Sequence, residues 1–343
     1  MKINPINLIE LINIGITKIM KKPKVYVTRH LPMKAWEELI RSCDADIWDK
    51  DTPPSYETII RNLGNKAGLL CLLTDQIDEK LMDAGPDLKV ISQCAVGYDN
   101  IDIPAATVRK IQVGNTPGVL TDATADFAFT LLLSAARRVV EGAKYVKDGK
   151  WETWGLTLLL GQDVWESTLG IIGFGKIGQA VARRALGFNM RILYYDLIRK
   201  LELEKTFGVE YCPLDELLKA SDFISLHLNL TPDTRGMIDQ SAFSKMKPNA
   251  VLVNTSRGPI INSDALFFAL TTGQIAAAAL DVTDPEPIPL THKLLSLSNL
   301  IIVPHIASAT YSSRDRMAMM AVHNLVAGVH GEPLPHAVNV IIS

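Results

Sequence analysis

The chain has 343 residues, enough for two domains that each bury a core of their own. Its formal net charge is −2, with 35 Lys and Arg set against 37 Asp and Glu, so no basic face invites nucleic acid and no acidic tail marks a solvated arm. The cysteines Cys43, Cys71, Cys94 and Cys212 lie far apart without a Cys-x-x-Cys pair, a usage that suits reduced thiols in a cytoplasmic protein and argues against a disulfide framework or a metal centre.

Residues 1–23 are apolar at Leu8, Ile9, Leu11, Ile12, Ile14, Ile16 and Ile19 but are interrupted by Glu10 and Asn13. The run is too short and too broken to span a membrane, and it lacks the continuous apolar core and small-residue cleavage site of a secretory signal. The expectation is a poorly ordered extension, with Met20 as a candidate start and no membrane partner.

From Lys24 strand and helix patterns alternate. Strands are expected over residues 24–28, 46–48, 68–73 and 89–92, with helices over 33–42, from Ser55 as an N-cap, and over 78–82. Asn115-Thr116-Pro117-Gly118 reads as a turn and hinge, followed by one long helix over 123–147. The segment 150–162, with Trp151 and Trp154, lacks periodicity. Further strands are expected over 169–172, 190–195, 223–228, 250–254, 275–280 and 300–303, and a helix over 312–330 closes the pattern. Alternation of this kind with short connections predicts an α/β chain of two doubly wound parallel-sheet domains, Rossmann-like or flavodoxin-like, with a cleft between them.

The stretch Gly173-Phe174-Gly175-Lys176-Ile177-Gly178 follows an apolar strand and opens a helical pattern. Gly173 permits the tight turn, Gly175 lets a pyrophosphate approach the backbone, and Gly178 lets the helix pack closely. The phosphates would meet the positive end of the helix dipole. The next strand ends in Asp196, 18 residues after Gly178, where a carboxylate would accept a ribose 2′-OH and repel a 2′-phosphate. NAD(H) is therefore favoured, while Arg199 and Lys200 immediately after leave NADP(H) possible.

Three polar residues follow apolar strands at their C-terminal ends: Arg257, Glu286 and His305. Together they suit hydride transfer to a 2-keto acid. Arg257 would hold the substrate carboxylate and polarise the keto oxygen, His305 would protonate the developing alkoxide, and Glu286 would favour the imidazolium.

Taken together, these motifs resemble the D-isomer-specific 2-hydroxyacid dehydrogenase family, within it most closely the glyoxylate/hydroxypyruvate reductases. The resemblance covers about residues 24–339 and rests on Val96-Gly97-Tyr98-Asp99-Asn100, Thr116-Pro117-Gly118-Val119-Leu120-Thr121-Asp122, the Gly173–Gly178 turn, Ser256-Arg257-Gly258, Leu280-Asp281-Val282, Pro285-Glu286-Pro287 and Pro304-His305-Ile306. It implies that Arg257, Glu286 and His305 form the catalytic trio and that the backbone N–H groups of Val96 and Gly97 bind the substrate carboxylate. It further implies that Leu73 lines the pocket, that Thr121 and Asp281 contact the nicotinamide end, and that Lys176 and Ile177 offer backbone groups to the pyrophosphate.

The same resemblance puts the dinucleotide domain at 118–306, between the two parts of a substrate domain at 24–117 and 307–343, and implies a homodimer in which Trp151 and Trp154 are interface residues. The chain departs from the family at Ala307, where Gly is frequent, and at Thr283, where an aromatic is frequent. The expected activity is reduction of glyoxylate and hydroxypyruvate. The alternatives are a relative acting on D-lactate or a larger 2-keto acid and, in another class, a dinucleotide-sensing co-repressor module.

Overall fold

Short apolar strands separated by amphipathic helices bury both faces of a parallel sheet, and the chain builds such a sheet twice. The structure, a computed structural model, describes residues 21–341; the expected extension therefore lies, up to residue 20, outside the described residues. Two compact units result, one running to Thr116 and resuming at Ala318, the other spanning Pro117–Met317.

In the first unit β1 (Lys24–Val27), α1 (Met33–Ser42), β2 (Asp44–Ile47), α2 (Tyr56–Leu63), β3 (Gly68–Cys71), α3 (Glu79–Asp83), β4 (Val90–Gln93), α4 (Ile103–Val108) and β5 (Gln112–Gly114) alternate. The five strands are parallel in the order β2-β1-β3-β4-β5. Successive side chains point to opposite faces. Val25, Val27, Leu70 and Val90 accordingly pack with Ala321 and Leu325 of α12 (Tyr311–Val329), while Tyr26, Leu69 and Ile91 pack with Leu63 and Leu81 on the other side. Ser55 caps α2 by accepting from Thr58 N–H, as its position predicts.

The second unit opens with α5 (Thr121–Ala136) and α6 (Val139–Lys147). The single helix expected over 123–147 is thus two helices. Arg138 takes φ +52°, a left-handed conformation that a right-handed helix cannot contain, and its guanidinium is held by both carboxylate oxygens of Glu141 at 2.8 Å. There follow β6 (Thr168–Ile172), α7 (Lys176–Leu186), β7 (Arg191–Tyr195), α8 (Leu201–Phe207), β8 (Glu210–Tyr211), α9 (Leu214–Ala220), β9 (Phe223–Leu226), α10 (Gln240–Lys245), β10 (Val251–Asn254), α11 (Ser263–Thr271), β11 (Ala277–Leu280) and β12 (Leu300–Ile302). Their seven-stranded parallel sheet has the order β12-β11-β10-β9-β6-β7-β8.

Strand order reverses between β6 and β9 in this sheet and between β1 and β3 in the first. Ligands of open α/β sheets bind beyond the strand C-termini at such reversals. The elements α4, β5 and β8 have no counterpart in the sequence reading, being six, three and two residues long. The units divide at 116/117 and 317/318, the latter inside α12, whereas the sequence reading divides them at 117/118 and 306/307. Among the described residues no helix is long and apolar enough to cross a membrane, and no group of three or more His, Cys, Asp or Glu could hold a metal ion.

Candidate active site

The β6–α7 turn has the geometry its glycines foretell. Gly173 adopts φ +92°, and a Cβ there would stand 2.5 Å from the carbonyl oxygen of His227, so both backbone conformation and space demand glycine. A Cβ on Gly178 would run into the Gly173 carbonyl, which explains the close helix packing. Gly175 differs: a Cβ there would meet nothing within 4 Å. Its smallness serves no contact within the chain and leaves an open approach to the N-terminus of α7, where no side chain caps the first turn and Lys176 is exposed. These residues fit a dinucleotide pyrophosphate, which the N–H groups of Lys176 and Ile177 would bind.

Asp196, just beyond β7, accepts a hydrogen bond from Phe174 N–H at 2.9 Å and one from Lys200 Nζ at 3.0 Å. Burial opposes its ionisation, but Lys200 and the Phe174 N–H outweigh burial and hold the carboxyl below its ordinary range. Thr121 stands at the first position of α5, its N–H donating to the carbonyl of Gly118, which adopts φ +89°.

Neighbouring strands bring the predicted trio together. Asn254, Leu280 and Ile302 lie in register across β10, β11 and β12, so the loops carrying Arg257, Glu286 and His305 leave the sheet side by side. His305 Nδ1 and Glu286 Oε1 are 2.6 Å apart. Burial opposes the charge on Glu286, yet the His305 hydrogen bond and charge, Thr283 N–H and the Arg257 charge together hold it below the ordinary glutamate range. It therefore remains ionised at acidities where an exposed glutamate takes up a proton.

Asn254, fully buried, shapes the Arg257 turn: its Oδ1 accepts from Ser256 N–H and Oγ, and its Nδ2 donates to the Arg257 carbonyl at 2.8 Å. A Cβ on Gly258 would overlap the Thr283 carbonyl, so glycine lets this turn lie against the loop that carries Glu286. The Thr283 hydroxyl donates to the Pro285 carbonyl at 2.8 Å.

Asp281 has a positioning role that sequence reasoning missed. Its carboxylate is 1% exposed and accepts from Ile306 N–H at 2.7 Å and Ala307 N–H at 2.8 Å, while its carbonyl accepts from His305 N–H. His305 adopts φ +54°, uncommon outside glycine, and these bonds on either side fix that conformation. Burial pushes the Asp281 carboxyl up, against the pull of the two N–H bonds and of His305. His227, at the end of β9, is a poor acid–base candidate by contrast: desolvation pushes it down to about 3 and its Nε2 lies 2.8 Å from Ser225 Oγ.

In the first unit, Leu73 and the Val96–Gly97 pair lie on loops that leave β3 and β4. Asp75 is buried and accepts from Thr28 Oγ1 and Leu72 N–H, and Arg29 donates to Thr74 Oγ1. Asn100 Nδ2 donates to the carbonyls of Leu72 and Asp75; Gln93 Nε2 donates to Asn100 Oδ1 and to the Gly97 carbonyl, and Asn115 Nδ2 to the Val96 carbonyl. Asn100 is thus the shared anchor of both loops. Asn100→Ala is expected to raise the KM for substrate about three- to tenfold by releasing these loops, with a smaller effect on kcat; steady-state kinetics on a variant of unchanged circular dichroism would check this, and an unaltered KM would count against the anchor.

Residues 129–307 match the D-isomer specific 2-hydroxyacid dehydrogenase, NAD binding domain family. The chain is 51% identical over 319 residues to a glyoxylate reductase of Korarchaeum cryptofilum, covering 93% of this chain and 96% of that one. A crystal structure of a Thermus thermophilus protein shares 44% identity with a TM-score of 0.87, covering 92% of this chain and all of that one. An NADPH-dependent glyoxylate/hydroxypyruvate reductase of Sinorhizobium meliloti, solved in complex with NADP and malonate, shares 30% identity with a TM-score of 0.83 over 93% of this chain and 97% of its own.

Proposed function

Given that the chain belongs to the D-isomer-specific 2-hydroxyacid dehydrogenase family, we propose that it reduces glyoxylate and hydroxypyruvate to glycolate and D-glycerate, with His305 as general acid. The observation that carries this reading is the 2.6 Å contact between His305 and Glu286 on loops that follow adjacent strands, with Arg257 on the loop after the next strand, β10.

The ionised Glu286 accepts from the Nδ1 side of the imidazole, which leaves Nε2 as the nitrogen that meets substrate. In the reductive direction Nε2–H gives its proton to the oxygen that develops negative charge; in the oxidative direction Nε2 takes it back. Arg257 binds the substrate carboxylate and stabilises charge on the keto oxygen through its forked donors. The N–H groups of Val96 and Gly97 are assigned to the same carboxylate and Leu73 to the pocket wall. The reduced nicotinamide, when bound, supplies the hydride. Thr121 and Asp281 are assigned to its nicotinamide end, and Gly173, Gly175, Lys176, Ile177 and Gly178 to its pyrophosphate.

NAD(H) is the favoured cofactor, since Asp196 offers a carboxylate where the ribose 2′-OH would lie; NADP(H) remains the alternative that Arg199 and Lys200 raise. The protein acts as a homodimer, a reading supported by the exposure of Trp151 and Trp154, at 61% and 77%, and in the cytoplasm, a reading supported by its dispersed cysteines. Oxidation of NADH and NADPH with glyoxylate, hydroxypyruvate and pyruvate tests the activity, and absence of turnover with the first two would overturn it. Asp196→Ser should move the kcat/KM ratio toward NADPH by about tenfold or more; a wild type that prefers NADPH would overturn the cofactor assignment.

A further inference from the structure

The segment after β7 carries two cations that could meet a 2′-phosphate, Arg199 and Lys200, and the structure shows both already engaged. Lys200 Nζ donates to Asp196 Oδ2 and, at 2.7 Å, to the Phe174 carbonyl in the glycine turn. Arg199 is turned onto α8. Its Nε and Nη2 donate to the two carboxylate oxygens of Glu204, each at 2.8 Å, in the paired geometry that makes Arg–carboxylate contacts strong and directional. The guanidinium also lies 5.7 Å from the centre of the Tyr211 ring.

Glu204 is itself anchored. The fully buried Tyr194 donates its hydroxyl to Glu204 Oε1 at 2.8 Å and accepts from Lys200 N–H at 2.8 Å, and its ring stacks on Phe174 at 4.4 Å. Arg199 foremost, with Tyr194 adding to it, holds the Glu204 carboxyl down to about 2. The chain thus fixes an ionised carboxylate beside its more exposed candidate for phosphate recognition and ties it to β7, the strand that leads into Asp196.

We propose that Glu204 is a specificity-determining residue of this site, which withholds Arg199 from the 2′-phosphate of NADP and so enforces the preference for NAD. The inference rests on the cofactor reading above and deepens it. Glu204 acts through Arg199 and touches no cofactor atom. For Arg199 to reach a 2′-phosphate it must give up two charge-assisted hydrogen bonds and leave an anion behind, next to a second anion; a ribose 2′-OH makes no such demand.

The test is equilibrium binding of NADH and NADPH, read by dihydronicotinamide fluorescence, on the full chain without keto acid. Glu204→Gln keeps an acceptor for Tyr194 and removes the charge; it is expected to tighten NADPH binding about five- to thirtyfold while NADH binding stays within about twofold. Glu204→Ala, which cannot retain Arg199 at all, is expected to do the same. Adding Arg199→Ala to Glu204→Gln should abolish the gain. An unchanged ratio of NADPH to NADH affinity in both folded single variants overturns the proposal, as does a gain that survives loss of Arg199. A wild type that binds NADPH more tightly than NADH overturns the cofactor reading instead, and the ratio in the variants still decides the role of Glu204.

Discussion

His305→Ala is expected to lower kcat for keto-acid reduction by about two to four orders of magnitude, with binding of the reduced dinucleotide little changed. The loss follows from geometry. Glu286 and the Asp281-bonded loop hold the imidazole in one orientation, and alanine leaves the developing alkoxide with water as its only proton source. Dinucleotide binding should survive because the residues assigned to the pyrophosphate belong to the β6–α7 turn. Steady-state rates with fluorescence titration of the same preparation would check this. A variant that turns over within a few fold of wild type would remove His305 from the reaction.

Arg257→Ala should damage two constants at once, raising the KM for keto acid and lowering kcat. Truncating one partner of a desolvated, hydrogen-bonded charge pair costs about 2–5 kcal/mol, which corresponds to roughly 1.5 to 3.5 decades in kcat/KM. Arg257→Lys should recover only part of that loss, because a point charge cannot reproduce a planar fork. The turn itself should stand in both variants, since Asn254 holds it through the backbone carbonyl of residue 257 and through Ser256. Kinetics against keto-acid concentration separates the two constants. A raised KM with unchanged kcat would leave Arg257 a binding group only, and no change in either would dismiss it.

The contrast between Gly175 and Gly178 shows why the dinucleotide turn was legible beforehand. Gly178 is required by the chain's own packing, whereas Gly175 faces open space and leaves the helix N-terminus approachable. The trio was legible for a related reason. Parallel strands in register deliver their C-terminal loops to one edge, so polar residues following three apolar strands converge whatever the intervening helices do. What failed were elements whose pattern is too short to stand out, α4, β5 and β8, and the break at Arg138, where a single left-handed residue ends one helix inside a helical composition.

Sequence by itself determined the two parallel-sheet units, the glycine turn, Asp196 and the three residues at strand ends, because each follows from local periodicity, chain reversal or residue chemistry. Tertiary structure alone decided what holds them. Asp281 bonds both N–H groups beyond His305, Asn100 ties together loops 25 or more residues apart in the chain, and Glu204 captures Arg199. A carboxylate or amide has the same composition whether it faces solvent or a buried N–H. Its partner is chosen by distances that only the folded sheet creates.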